Sequence, residues 1–265
     1  MPPSPTVASA HETPTLVLLL VATLSVAPLV PPAFAAAPAV VAAGLLAAAV
    51  RAGHGPAIDL GLAVTATLSL LAIPNAWLTW PAPLLAGLAV YAALVRRGWW
   101  RGAAAKSVAW WRRGTIDRGS VGLAIAFAVV ASVALVLWWT LAAPDLRDLS
   151  DRLPAAHPAW LVLGGLTFSM ANALAEEAMW RGVITHALAQ TIGRAWVVLI
   201  VQAASFGLVH VHGFPRGVLG VALAAVYGLM MGELRRRTGG LLLPWLAHIV
   251  ADVTIVSVVA ALALG

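Results

Sequence analysis

The chain has 265 residues, of which 62% are hydrophobic and only 10% charged, and its mean hydropathy is +0.93. A soluble domain carries about 25% charge to cover its surface with wet groups, so this composition excludes a soluble globule and points to an all-α, polytopic membrane protein. Cysteine is absent, which removes disulfides, cysteine–zinc sites and cysteine nucleophiles together.

A spanning helix needs roughly 20 mostly apolar residues. In chain order, apolar stretches fall near 15–35, 37–50, 57–75, 81–95, 120–143, 159–189, 195–212, 217–234 and 241–264. The second and fourth are short, so the expectation is a transmembrane helix bundle of eight or nine spans. Prolines 28, 31, 32, 74, 81, 83 and 144 sit near proposed ends or kinks, where they do least harm. No Arg or Lys precedes Arg51, so the first stretch lacks the charged region of a secretory signal. Ala33-Phe34-Ala35 is therefore read as part of a span and not as a cleavage site. The chain divides into an N-terminal transmembrane region, 1–158, and a C-terminal core, 159–265.

Basic residues set orientation. With nine spans and a cytoplasmic N-terminus, the cytoplasmic loops hold twelve of them: Arg51, seven between Arg96 and Arg118, Arg194 and Arg235–Arg237. The opposite loops hold Arg147, Arg152 and Arg216. Twelve against three favours that orientation in the cell membrane. Loop 96–118 interleaves Trp99, Trp100, Trp110 and Trp111 with its cations, as an interfacial segment on anionic lipid does, and membrane lipid rather than nucleic acid is its expected partner.

Intramembrane ionisable groups are costly and default to function. Glu176, Glu177, Arg181, His210, His248 and Asp252 all fall within proposed spans. At helical spacing Glu177 and Arg181 face the same way and neutralise each other. Glu176 points about 100° away, which makes it the carboxylate to assign chemistry. If the sixth and seventh spans form a hairpin turning near 191–194, Glu176 and His210 lie roughly 24 and 27 Å from its tip and are nearly level. Phe206 precedes His210 by four residues and packs beside it. His248 and Asp252 form another i,i+4 pair, able to share a proton. Taken alone, this pair fits a proton relay, a metal half-site or a helix–helix clamp; with Glu176 and His210 it makes a four-residue constellation drawn from three spans.

Glu-Glu-x-x-x-Arg at 176–181, Phe-x-x-x-His at 206–210 and His-x-x-x-Asp at 248–252 resemble, in this order, the motifs of the type II CAAX prenyl endopeptidase family, also called the CAAX protease and bacteriocin-processing family. The resemblance covers roughly residues 159–264. It implies a helical intramembrane endopeptidase acting on a peptide or membrane-protein substrate. Glu176 would be the general base on a water also held by His210. His248 and Asp252 would stabilise the oxyanion, with Glu177, Arg181 and Phe206 in support. The third motif often ends in Asn, and an Asp donates a hydrogen bond only when protonated. Family members are often called metalloproteases, so zinc is a possible cofactor, although the His-Glu-x-x-His spacing of a zinc protease helix is absent. No metal ligand is assigned.

Two other classes use the same residues. A proton-coupled carrier would show inverted repeats, and none is evident. A non-proteolytic scaffold would bind partner helices in the same cleft. The Ala- and Arg-rich, Lys-poor composition points to a bacterial source, where prenylated substrates are not the usual context and the resemblance implies peptide or bacteriocin maturation, self-immunity or membrane-protein processing. Oligomeric state is not legible.

Overall fold

Proline, glycine and the run lengths of apolar residues decide where each helix starts and stops. The computed structural model describes residues 12–74, 80–96, 110–151, 153 and 157–264. Among them the structure is entirely helical, with no strand. The helices are α1 (Glu12–Val26), α2 (Ala37–Arg51), α3 (Gly55–Leu71), α4 (Ala82–Arg96), α5 (Arg118–Ala142), α6 (Arg147–Ser150), α7 (Pro158–Glu176), α8 (Thr185–Ile192), α9 (Ala195–Val209), α10 (Gly217–Thr238) and α11 (Leu242–Leu264). A π-helical stretch, Glu177–Ile184, joins α7 to α8.

Each expected span contains a helix, but several are shorter than expected. α1 stops at Val26 because Pro28, Pro31 and Pro32 follow, and two short 3-10 turns replace the rest of the expected span. α9 stops at Val209, so His210 lies just beyond a helix end. Among the described residues, four helices are long and apolar enough to cross a membrane: Pro32–Arg51, Arg118–Ala142, Gly217–Thr238 and Leu242–Ala263. Shorter apolar helices are Pro14–Leu29, Gly55–Leu71, Ala82–Arg96 and Ala195–Val209. On α5 the outer residues Ile125, Val129, Val130 and Val133 are more than half exposed, so this helix is as apolar outside as inside. Such a helix belongs in lipid. The protein is a membrane protein.

Two compact units can be described separately. In the first, α3 is central, packed by α1, α2, α4 and α8. Its core includes Leu20, Leu60, Val64, Leu84 and Leu188.

The second unit comprises Trp110–Gly182 and Leu199–Gly265. Here α11 packs against α5, α7 and α10. Ala124, Ala128, Met231, Leu234, Leu243 and Ala247 form one buried cluster, and Trp138, Leu146, Phe214 and Val258 belong to another. Helix α7 runs antiparallel to α11, since Gly165 meets Val256, Asn172 meets Asp252 and Glu177 meets His248. A Cβ on Gly165 would lie 2.6 Å from Val256 Cγ1, so a larger residue would have to push that methyl aside. α9 and α10 meet just as closely, with Gly228 against the backbone of Ala203.

Of the Trp-rich basic loop, Arg97, Trp99, Trp100, Arg101 and Lys106 lie outside the described residues. Its last part forms a strap. Thr115 N donates to Thr238 O, and Leu241 N donates to Arg112 O. Arg235 ties the strap down, giving Nη2–H to Trp110 O and Nε–H to Arg181 O.

Candidate active site

A cluster of polar groups lies inside the second unit, assembled from α7, the π-helical stretch, α9, α10 and α11. Sequence spacing treated 176–181 as α-helix. The chain is π-helical from Glu177, a wider turn that recurs at functional positions. As a result both adjacent carboxylates reach one imidazole. Glu177 Oε1 lies 2.8 Å from His248 Nδ1, and Glu176 Oε2 lies 3.6 Å from His248 Nε2. Glu177 also meets Arg181, as the i,i+4 spacing implied, and both glutamates meet at His248.

Arg181 and Glu177 have no exposed surface, and Arg181 Nη1 stands 3.1 Å from Glu177 Oε1. A buried charge needs a partner. Here Glu177 Oε1 has two, Arg181 and His248. That oxygen faces the Arg181 cation as an acceptor, so in its contact with His248 it accepts and Nδ1–H donates. That fixes what remains at His248: Nε2 donates only when the ring is an imidazolium. Asp252 Oδ1 lies 3.7 Å from that nitrogen. The i,i+4 pair expected on α11 is thus an ion-pair contact, longer than the bond His248 makes to Glu177.

Phe206 is the hub. Its ring centroid lies 4.5 Å from His210, 5.4 Å from Trp180, 6.1 Å from His248 and 6.3 Å from Tyr227. The Arg181 guanidinium carbon sits 4.4 Å from the same centroid, a cation–π contact. His210 Nδ1–H donates to Phe206 O at 2.7 Å, closing the C-terminal turn of α9. A carbonyl can only accept, so the neutral ring keeps Nε2 as an acceptor. His210 is half-buried, whereas Glu176, Glu177, Arg181, His248 and Asp252 are buried, so the cluster is most open on the His210 side.

All seven residues singled out from sequence lie in this unit: His210, His248 and Arg181 surround the Phe206 ring, and Glu176, Glu177 and Asp252 meet His248. Three further groups escaped sequence reasoning. Asn172 donates to Asp252 Oδ2 at 3.0 Å, inside the core. Tyr227 packs its ring 5.2 Å from His248 with its hydroxyl buried and without a hydrogen bond. Trp180 donates to Ser205 Oγ at 3.2 Å. Asn172 was legible in principle, being a polar residue one turn before Glu176 in an apolar helix.

Among the described residues no three His, Asp or Glu side chains are arranged to hold a metal ion. Each imidazole engages Nδ1, one with Glu177 and one with the Phe206 carbonyl, and keeps Nε2 outside those bonds. With no three ligands converging, no step is routed through a metal. What it offers is a buried carboxylate, an imidazole acceptor, and a second imidazole flanked by carboxylates.

No curated protein and no solved structure matches the chain. A family model does: residues 158–254, the stretch that contains every residue of this cluster, match the type II CAAX prenyl endopeptidase Rce1-like family.

Proposed function

We propose that the protein is an intramembrane endopeptidase that hydrolyses a peptide bond with a water activated by Glu176 and His210. The observation that carries this reading is the convergence of the three ordered motifs on one buried cluster, within the region that matches a protease family. Water donates one hydrogen bond to His210 Nε2 and gives its other proton to Glu176 as its oxygen attacks the scissile carbonyl carbon. The carbonyl oxygen becomes an oxyanion, and His248 Nε2–H, as imidazolium, stabilises it together with Asp252. One such donor is worth about 3–4 kcal/mol. Glu176 then passes its proton to the amine nitrogen as the C–N bond breaks. Glu177, paired with Arg181, holds the His248 ring in place through Nδ1–H.

The chain is further read as a multi-pass protein of the cell membrane with eight or nine crossings and a cytoplasmic N-terminus, the substrate being a peptide or membrane protein. Purified protein in detergent is expected to cleave members of a quenched-fluorescent peptide library. Glu176→Gln should lower the rate by at least ~10²-fold, while a zinc chelator leaves it unchanged. Loss of cleavage in chelator would revive a metal. A wild type that cleaves nothing yet captures partner helices would favour a scaffold.

A further inference from the structure

Asn172 and Asp252 come from different helices, α7 and α11, and are both buried. The amide nitrogen of Asn172 donates to Asp252 Oδ2 at 3.0 Å. In this bond the amide N–H donates and the carboxyl oxygen accepts. Oδ2 is thereby engaged as an acceptor. The other oxygen, Oδ1, lies 3.7 Å from His248 Nε2, the same nitrogen that Glu176 Oε2 approaches to 3.6 Å. Asn172 also stands one helical turn before Glu176, so the base and the Asp252 partner ride on one rigid helix.

We propose that Asn172 is a positioning residue of the site: by donating to Oδ2 of Asp252 it reserves Oδ1, the oxygen that faces His248, for the reacting group. The inference rests on the peptidase reading. Its chemistry is specific. With Oδ2 engaged, any proton that Asp252 carries sits on Oδ1, so the carboxyl donates toward the oxyanion and not away from it. The pair then presents the site with one oxygen, Oδ1, in a fixed place. Without Asn172 the carboxyl turns freely about its terminal bond, and either oxygen faces His248.

The test is steady-state cleavage by Asn172→Ala, Asn172→Leu, Asn172→Asp and the exchange Asn172→Asp/Asp252→Asn, beside wild type and Glu176→Gln. Loss of placement at the reacting centre is expected to lower kcat about 10–100-fold in the Ala and Leu variants with KM little changed. Asn172→Asp faces two carboxyls across 3 Å and should be the worst single variant. The exchange rebuilds the hydrogen bond in the opposite direction, the amide nitrogen at 252 donating to the carboxylate at 172, and leaves an amide oxygen toward His248 where Oδ1 now stands. It should recover at least ~10-fold in kcat over Asn172→Asp. Wild-type kcat in Asn172→Leu would overturn the proposal while leaving the peptidase reading intact. So would an exchange variant no better than Asn172→Asp, provided it has the melting temperature of the wild type. Wild type that cleaves nothing would instead sink the reading on which it rests, and the proposal with it.

Discussion

His248 finds its closest carboxylate on another segment: Glu177 Oε1 is 2.8 Å from Nδ1, whereas Asp252, one turn along its own helix, is 3.7 Å from Nε2. Glu177 is thus the link between the buried cation Arg181 and the imidazole, and its loss acts on both. Glu177→Gln leaves Arg181 buried without a counter-charge, an uncompensated cation that costs about 3–5 kcal/mol. A large drop in melting temperature in detergent is expected, together with loss of cleavage. The pair replacement Glu177→Gln/Arg181→Met removes the stranded charge and should recover much of the melting temperature without recovering activity.

Tyr227 carries a buried hydroxyl with no hydrogen bond, 5.2 Å ring to ring from His248. An unsatisfied hydroxyl is a cost to the folded state. Tyr227→Phe should be stabilised by roughly 1 kcal/mol, read as a higher melting temperature, and should cleave more slowly than wild type. A destabilised Tyr227→Phe protein with full activity would show that the hydroxyl serves the fold and not the site.

Gly182 lies under Trp110, and a Cβ there would come within 2.5 Å of the indole. Gly182→Ala forces that ring or the π-helical segment to move, an overpacking that costs about 1–3 kcal/mol. The shift falls one residue from Arg181. A reduced melting temperature and a slower cleavage rate should therefore appear together, and Trp110→Ala in the same chain should relieve the first.

Asp117 caps α5. Its carboxylate accepts from Ser120 N at 2.9 Å and from Ser120 Oγ at 2.7 Å, and these bonds hold its pKa below the usual value of 3.8. A depressed carboxyl pKa contributes stability that is present above 3.8 and fades as pH falls through the lower folded value. Asp117→Ala should melt at a lower temperature than wild type near neutral pH, and the gap between them should close in strong acid.

The helices and the ordered polar motifs were legible because each is a local pattern: apolar runs bounded by proline, and ionisable residues in the middle of them. Partner choice was not. Nothing between 176 and 181 announces a π-helical turn, and without it both glutamates cannot be seen to share His248. The i,i+4 rule paired His248 with Asp252, yet a residue 71 positions away bonds it more closely. Asn172 and Tyr227 enter through helix packing at Gly165 and Gly228, which a single sequence reveals only as scattered glycines. His210 was placed inside a span, whereas α9 ends just before it, and the cap it makes on Phe206 O is what orients its ring.

The strap from Trp110 to Thr115 looks, by its charge and glycine content, like the place to splice in a reporter or an affinity tag. Its backbone is stitched to the α10–α11 junction, and Arg235 clamps the carbonyls of Trp110 and Arg181 together. An insertion there would pull on the very turn that aims the carboxylates. Anyone labelling this protein for imaging or pull-down should expect a silenced site from that position, and should choose the exposed turn at Gly53 instead.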